Sequence, residues 1–182
     1  MREWQEVSLG KIIETNPESF SNRDDWGFVN YLDTGNITQN RIDSIQKIDL
    51  EVDKLPSRAK RKVKQGDVLF SNVRPIQQHY GYLNSVYENM LVSTGFTTIR
   101  AKQGTCSKYI YYFLTQRGVI ERLQAIAEQT VSTYPAIKSS DIEALELSLP
   151  PLDEQISIAD TLSCLDDKIE LNNKINDYLA VA

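Results

Sequence analysis

The chain has 182 residues, a formal net charge of −5, 41% hydrophobic and 25% charged residues, which is enough to bury a core as one domain plus an appendage. No apolar run reaches membrane-spanning length and the opening residues carry no signal-type apolar stretch, so the composition argues against a membrane protein and for a cytoplasmic one. The charge is uneven: from Asp141 onward there are ten acidic residues and two lysines, while the preceding residues hold 18 Lys and Arg against 15 Asp and Glu. Such asymmetry points to a basic working part joined to an acidic part with a different task. The two cysteines, Cys106 and Cys164, have no metal-type spacing and read as reduced thiols.

In chain order, the first signal is the turn Asp33-Thr34-Gly35-Asn36 between two apolar stretches. Residues 57–64 then place Arg58, Lys60, Arg61, Lys62 and Lys64 within eight positions, with no acid among them. A solvated face is the ordinary reading of such a run. Held in place ahead of a strand, it could also neutralise phosphates and release counterions. Gly66-Asp67 opens a turn into the strand signal Val68-Leu69-Phe70-Ser71, and residues 91–94 and 96–100, rich in β-branched and aromatic residues, form a second strand candidate around Gly95. Between them, residues 72–82 form a loop turning at Pro75 and displaying Asn72, Arg74, Gln77, Gln78, His79 and Tyr80. Arginine suits the guanine edge and glutamine the adenine edge of a base pair. The competing reading is a polar loop whose Tyr80 and Tyr82 pack on the domain.

A helix is expected after Ser107 as N-cap, weakened near Gly118 and resuming through Val119, Ile120, Leu123 and Ile126. The polar segment 129–134, with Ser132, Thr133 and Tyr134, is a second candidate for approaching DNA. Ser140-Asp141 could cap a short helical turn before the strand-like 145–149. Interspersed short strands and helices favour an α+β fold over a doubly wound sheet.

Pro150-Pro151 then marks a helix start, with Asp153 and Glu154 at its positive end. Ile158, Leu162, Leu165, Ile169, Asn172, Asn176 and Leu179 follow alternating four- and three-residue steps. That is a coiled-coil seam in which two asparagines set register. A second stripe, Ile156, Ala159, Leu171, Ile175 and Tyr178, lies off it, so the helix needs more than one neighbour. At 1.5 Å per residue it would be roughly 40 Å long.

Catalytic chemistry is missing from the sequence. There is no G-x-G-x-x-G or Walker-type loop, and Leu149-Pro150-Pro151-Leu152 lacks the polar and aromatic residues of an aminomethyltransferase acceptor motif. Glu51-Val52-Asp53-Lys54 does not have nuclease spacing. His79 is the sole histidine, which leaves no histidine cluster for a metal. It is read as a solvent-facing or hydrogen-bonding residue.

Three stretches resemble the specificity subunits of type I restriction-modification systems. These are the opening Glu3-Trp4-Gln5-Glu6-Val7-Ser8-Leu9-Gly10, the central Gly66-Asp67-Val68-Leu69-Phe70-Ser71 with Arg74-Pro75, and the junction Leu147-Ser148-Leu149-Pro150-Pro151-Leu152-Asp153-Glu154-Gln155. The resemblance continues through Leu165-Asp166-Asp167-Lys168-Ile169 and covers nearly the whole chain. It implies a target-recognition domain over residues 1–149 and a spacer and dimerisation helix over residues 150–182. It also implies a non-catalytic role in reading one half of a split double-stranded DNA site. The partners would be modification (methyltransferase) and restriction subunits, with S-adenosylmethionine and ATP bound by those partners and no cofactor on this chain. One domain and one helix make it a half-subunit or a fragment, and two copies would pair through the seam at Asn172 and Asn176. The alternatives are an adaptor that dimerises through its helix without reading DNA, and an enzyme acting on nucleic acid by itself.

Overall fold

A computed structural model describes residues 3–21, 23–129 and 135–181, so Ser132, Thr133 and Tyr134 lie outside the described residues. The fold is α+β, with a long helix at its C-terminal side. Among the described residues, twelve strands form four small sheets, with the strands Val68–Ser71 and Met90–Ser93 buried along their whole length. The first elements are β1 (Gln5–Ser8), α1 (Leu9–Ile12) and β2 (Ile13–Thr15). They are followed by β3 (Phe28–Leu32), the hairpin β4 (Ile37–Thr38) and β5 (Arg41–Ile42), β6 (Gln46–Asp49) and β7 (Ala59–Lys62). Next come β8 (Val68–Ser71), β9 (Tyr80–Tyr82), β10 (Met90–Ser93) and β11 (Phe96–Ala101). Helices α2 (Ser107–Leu114), α3 (Arg117–Gln129) and α4 (Ser139–Glu143), strand β12 (Glu146–Leu149) and helix α5 (Leu152–Val181) complete the chain.

One four-stranded sheet runs β6-β3-β10-β7 and the other β2-β11-β8-β9, so the chain changes sheets at Thr94 and Gly95, between β10 and β11. Among the described strands, β3 and β10 pair in parallel and the other pairings are antiparallel. β1 pairs with β12, which ties the opening of the chain to the strand just before α5. The largest core cluster lies between the β2-β11-β8-β9 sheet and helices α2 and α3, around Phe70, Tyr80, Ile99, Ile110, Leu114 and Leu123.

Several local expectations shift by a few residues. The basic run does not merely precede a strand; part of it forms β7, an edge strand. Ser107 is the first residue of α2 rather than its cap, and its hydroxyl donates to the Gly66 carbonyl instead. The helix breaks at Thr115 and Gln116, ahead of Gly118, which sits inside the first turn of α3. Lys138, rather than Ser140, caps α4, its N–H donating to the Asp141 carboxylate at 2.7 Å.

The proximal part of α5 is fastened to α2 and the remainder is not. Gln155 is 1% exposed. Its Oε1 accepts from the Cys106 N–H at 2.9 Å and its Nε2 donates to the Pro150 carbonyl at 2.8 Å, so a buried amide has a partner at both ends. Further along, Lys108 Nζ donates to Ser163 Oγ at 2.7 Å and the Tyr112 hydroxyl to Asp166 Oδ2 at 2.8 Å. After Asp166 every side chain described on the helix is exposed.

Candidate nucleic-acid interface

The loop after β8 is built as a rigid projection. Ser71 Oγ donates to the Val73 carbonyl at 3.1 Å, and the Asn72 N–H donates to the Gly95 carbonyl at 2.8 Å. The Arg74 N–H donates to the Pro135 carbonyl at 3.0 Å and the Ile137 N–H to the Asn72 carbonyl at 2.8 Å. The structure thus places residues 135–137, just after the second polar segment, beside residues 72–74. Pro75–Gln77 form one 3-10 turn, bracketed by Arg74 at φ 47° and Gln78 at φ 59°. Left-handed backbone is uncommon outside glycine and costs on the order of 1–3 kcal/mol per residue unless neighbours impose it. Here the Ile76 N–H also donates to Gln124 Oε1 of α3 at 3.2 Å. Pro75 is buried beneath the turn, while Arg74, Ile76 and Gln77 are exposed.

A second turn locks onto the first. Between β4 and β5, Gln39 and Asn40 both take positive φ, 48° and 67°, the conformation that a two-residue hairpin loop requires. Across this contact the Gln39 N–H donates to the Gln78 carbonyl at 2.9 Å and the Asn40 N–H to the Tyr80 carbonyl at 2.9 Å. The Tyr82 N–H donates to Asn40 Oδ1 at 2.7 Å. Gln39 Nε2 donates to Gln78 Oε1. His79 is a hydrogen-bonding histidine: its Nδ1 donates to the Ile37 carbonyl at 2.7 Å. The approach is so close that a Cβ at Gly81 would overlap Ile37 Cδ1 and lie 3.1 Å from Asn40 Oδ1. Gly81→Ala should therefore destabilise the fold by about 1–3 kcal/mol, read as a lower denaturant midpoint at unchanged slope.

The basic run divides into tied and available residues. Lys62 pairs with Asp24 and lies 5.1 Å over the Trp26 ring, and Lys64 pairs with Glu18. Those two pair with acids of their own domain. Arg61 is half-buried beside Ser19. Arg58 and Lys60 are exposed. Arg58 reaches the turn between the two sheets: a Cβ at Gly95 would come within 2.9 Å of Arg58 Nη2 and 2.8 Å of Thr34 Cγ2. Asp33 stands beside it. Burial pushes the Asp33 carboxyl up, but the Thr34 N–H, the Ser93 and Tyr31 hydroxyls and the Arg58 charge outweigh burial and hold it below the usual value. The structure therefore gathers Arg58, Thr34, Gly95 and loop 72–78 along one chain of contacts.

Two of the candidate DNA-binding residues, Tyr80 and Asn72, are drawn inward. Tyr80 is 7% exposed, its ring 6.1 Å from that of Phe70 and 6.2 Å from that of Tyr111. It belongs to the core, because strand alternation turns it toward α2, and burial raises the pKa of its phenol. Asn72 is half-buried, and its Oδ1 accepts from the Thr97 hydroxyl at 2.7 Å; it holds the loop. Arg74, Gln77 and Gln78 stay at or near the surface. Sequence reasoning missed Gln39, Asn40 and Gln124. A Gln-Asn pair between two two-residue strands is a weak turn signal, and Gln124 lies on a helix face with no distinguishing neighbour.

Along α5, Ile158 and Leu162 are half-buried, whereas Leu165 and Ile169 are 52% and 58% exposed. Asn172, Asn176 and Leu179 continue the same seam in solvent, and Leu171, Ile175 and Tyr178 expose the second stripe. Among the described residues, no helix is long and apolar enough to cross a membrane.

Comparison with known proteins finds the type I restriction modification DNA specificity domain family matching residues 1–180. The chain is 32% identical over 183 residues to the type I restriction enzyme HindI specificity subunit of Haemophilus influenzae, covering 98% of this chain and 39% of that protein. It is 28% identical over 193 residues to the putative type I restriction enzyme MjaX specificity subunit of Methanocaldococcus jannaschii, covering 99% and 40%. The fold matches the HsdS subunit of Thermoanaerobacter tengcongensis with a TM-score of 0.78 at 24% identity, over 95% of this chain and 44% of that one. The chain spans less than half the length of these relatives.

Proposed function

The chain belongs to the type I restriction-modification DNA specificity family, and on that premise we propose that it reads one half of a split double-stranded DNA site for partner modification subunits. The observation that carries this reading is the strained loop at residues 74–78. It projects Arg74 and Gln77 from a pinned backbone and stands in a chain of contacts with exposed Arg58. Conformational strain held by surrounding structure is characteristic of functional loops. Side chains on a fixed loop can discriminate base edges, whereas Arg58 and Lys60 supply sequence-independent attraction to phosphates.

The chain would act without catalysis of its own. Methyl transfer, with S-adenosylmethionine, would belong to the modification subunit, and ATP-dependent cleavage to the restriction subunit. Helix α5 would serve as the spacer between two recognition units. Its 30 residues span roughly 45 Å, enough to cover the 34–36 Å of one DNA turn. Two copies paired antiparallel would then read an inverted repeat with an uncontacted centre.

The test is co-purification with a type I modification subunit, methylation of random duplex DNA and sequencing of the modified sites. A split, inverted-repeat site is expected; absence of both complex and modification would overturn the reading. Salt dependence separates the basic residues. Arg58→Ala and Lys60→Ala should each reduce the slope of log K against log salt by about 1. Lys62→Ala should leave it nearly unchanged, because that charge is already paired with Asp24.

A further inference from the structure

Four non-glycine residues with left-handed backbone, Gln39, Asn40, Arg74 and Gln78, converge where the β4–β5 turn meets the loop after β8. Side-chain amides join the two turns. Gln39 is exposed and donates through Nε2 to Gln78 Oε1. The bond fixes more than position. An amide free to rotate by half a turn exchanges its donor and acceptor ends. With Gln39 donating, that exchange at Gln78 alone would set one NH2 group against another, so the two amides can turn only together and Gln39 ties the orientation of Gln78 to its own.

A carbonyl oxygen accepts two hydrogen bonds and an amide nitrogen donates two. Gln78, with one lone pair engaged by Gln39, retains a further acceptor site and its amide donors, in an order coupled to that of the Gln39 amide. In the major groove adenine presents the matching order, the N6 amino donor beside the N7 acceptor, whereas guanine presents two acceptors. We propose that Gln39 is a specificity-determining positioning residue, which locks the Gln78 amide so that it reads an adenine in the target half-site. The inference rests on the DNA-reading function above, and it names the base and a residue outside the loop itself.

Two substitutions isolate this role. Gln39→Gly removes the side chain and is at ease at φ 48°, so the turn survives. Gln39→Glu keeps the size but cannot donate. Each variant, in complex with the modification subunit, would be offered a randomised duplex library, and the modified sites sequenced beside those of the parent. Both should lose preference for adenine at one position tenfold or more, and Gln78→Ala should lose it at the same position. The other positions and the thermal midpoint should not change. Preferences within twofold of the parent at every position would overturn the proposal, as would a loss spread evenly over the whole site. A parent that selects no site would instead overturn the recognition function beneath it.

Discussion

Arg100→Leu should destabilise the folded chain by about 3–5 kcal/mol, the range expected when one partner of a buried ion pair is removed. Arg100 Nε and Nη2 each reach an Asp67 carboxylate oxygen at 2.8 Å, a two-pronged pair, while Nη1 reaches Glu18 at 2.6 Å. Asp67 is 1% exposed, and among the described residues its carboxylate otherwise accepts from the Lys64 N–H at 2.8 Å, so leucine would strand a buried charge. Arg100→Lys should recover part of the loss, because a single ammonium cannot reproduce the planar fork. Arg100→Leu with Asp67→Asn should recover more, because the charge is then gone. Urea denaturation of the four proteins checks this order, and an Arg100→Leu midpoint equal to the parent's would refute it. The pair matters for the site because Asp67 leads directly into β8, whose far end launches loop 72–78.

The same cluster has a weaker pH signature. Hydrogen bonds from Lys64 and then Arg100 hold the Glu18 carboxyl below its ordinary value, against the opposing effect of burial. A carboxyl depressed by folding stabilises the native state above its unfolded pKa, and the contribution disappears as the pH falls through the depressed value. Because more than a third of the Glu18 side chain is exposed, solvent screening keeps this contribution small.

Local patterns made parts of this architecture legible. The Pro150-Pro151 break, the acidic first turn and the stepped apolar residues marked α5, which begins at Leu152. Gly66-Asp67 marked the entry to β8, and the β-branched residues around Gly95 marked one strand region where the structure has two strands, β10 and β11. That those two strands join different sheets was not legible, because a tight turn and a sheet change look alike in local sequence. Pairing partners over long separations, such as Ser19 with Arg61 beside the edge of β7, are set by tertiary packing. For the same reason the basic run read as five equivalent charges: Asp24 and Glu18, which tie down Lys62 and Lys64, are about 40 residues upstream. Tyr80 illustrates the converse. Its neighbours in the chain are polar, but strand β9 begins at Tyr80, and alternation turned it inward against Phe70.

Leu165→Asp combined with Ile169→Asp should abolish the proposed pairing of α5 with a second copy of itself, weakening association at least 100-fold. Both side chains are more than half exposed in the single chain, so neither substitution removes a core contact, and the variant should keep the parent's circular dichroism and thermal midpoint as a monomer. In a two-fold pair each substitution occurs twice. Burying a Leu or Ile fully contributes about 1.5–3 kcal/mol, and every 1.4 kcal/mol is tenfold in affinity. Losing even a fraction of four such burials, while placing four carboxylates in the seam, exceeds the two decades predicted. Asn172→Leu with Asn176→Leu should act oppositely, tightening association while loosening register and oligomer number, since polar seam residues give up stability for a unique alignment. Sedimentation equilibrium at micromolar concentration distinguishes these cases. A parent that stays monomeric there would count against two-copy pairing. A dimer unaffected by the paired aspartates would move the interface to the other exposed stripe, Leu171, Ile175 and Tyr178.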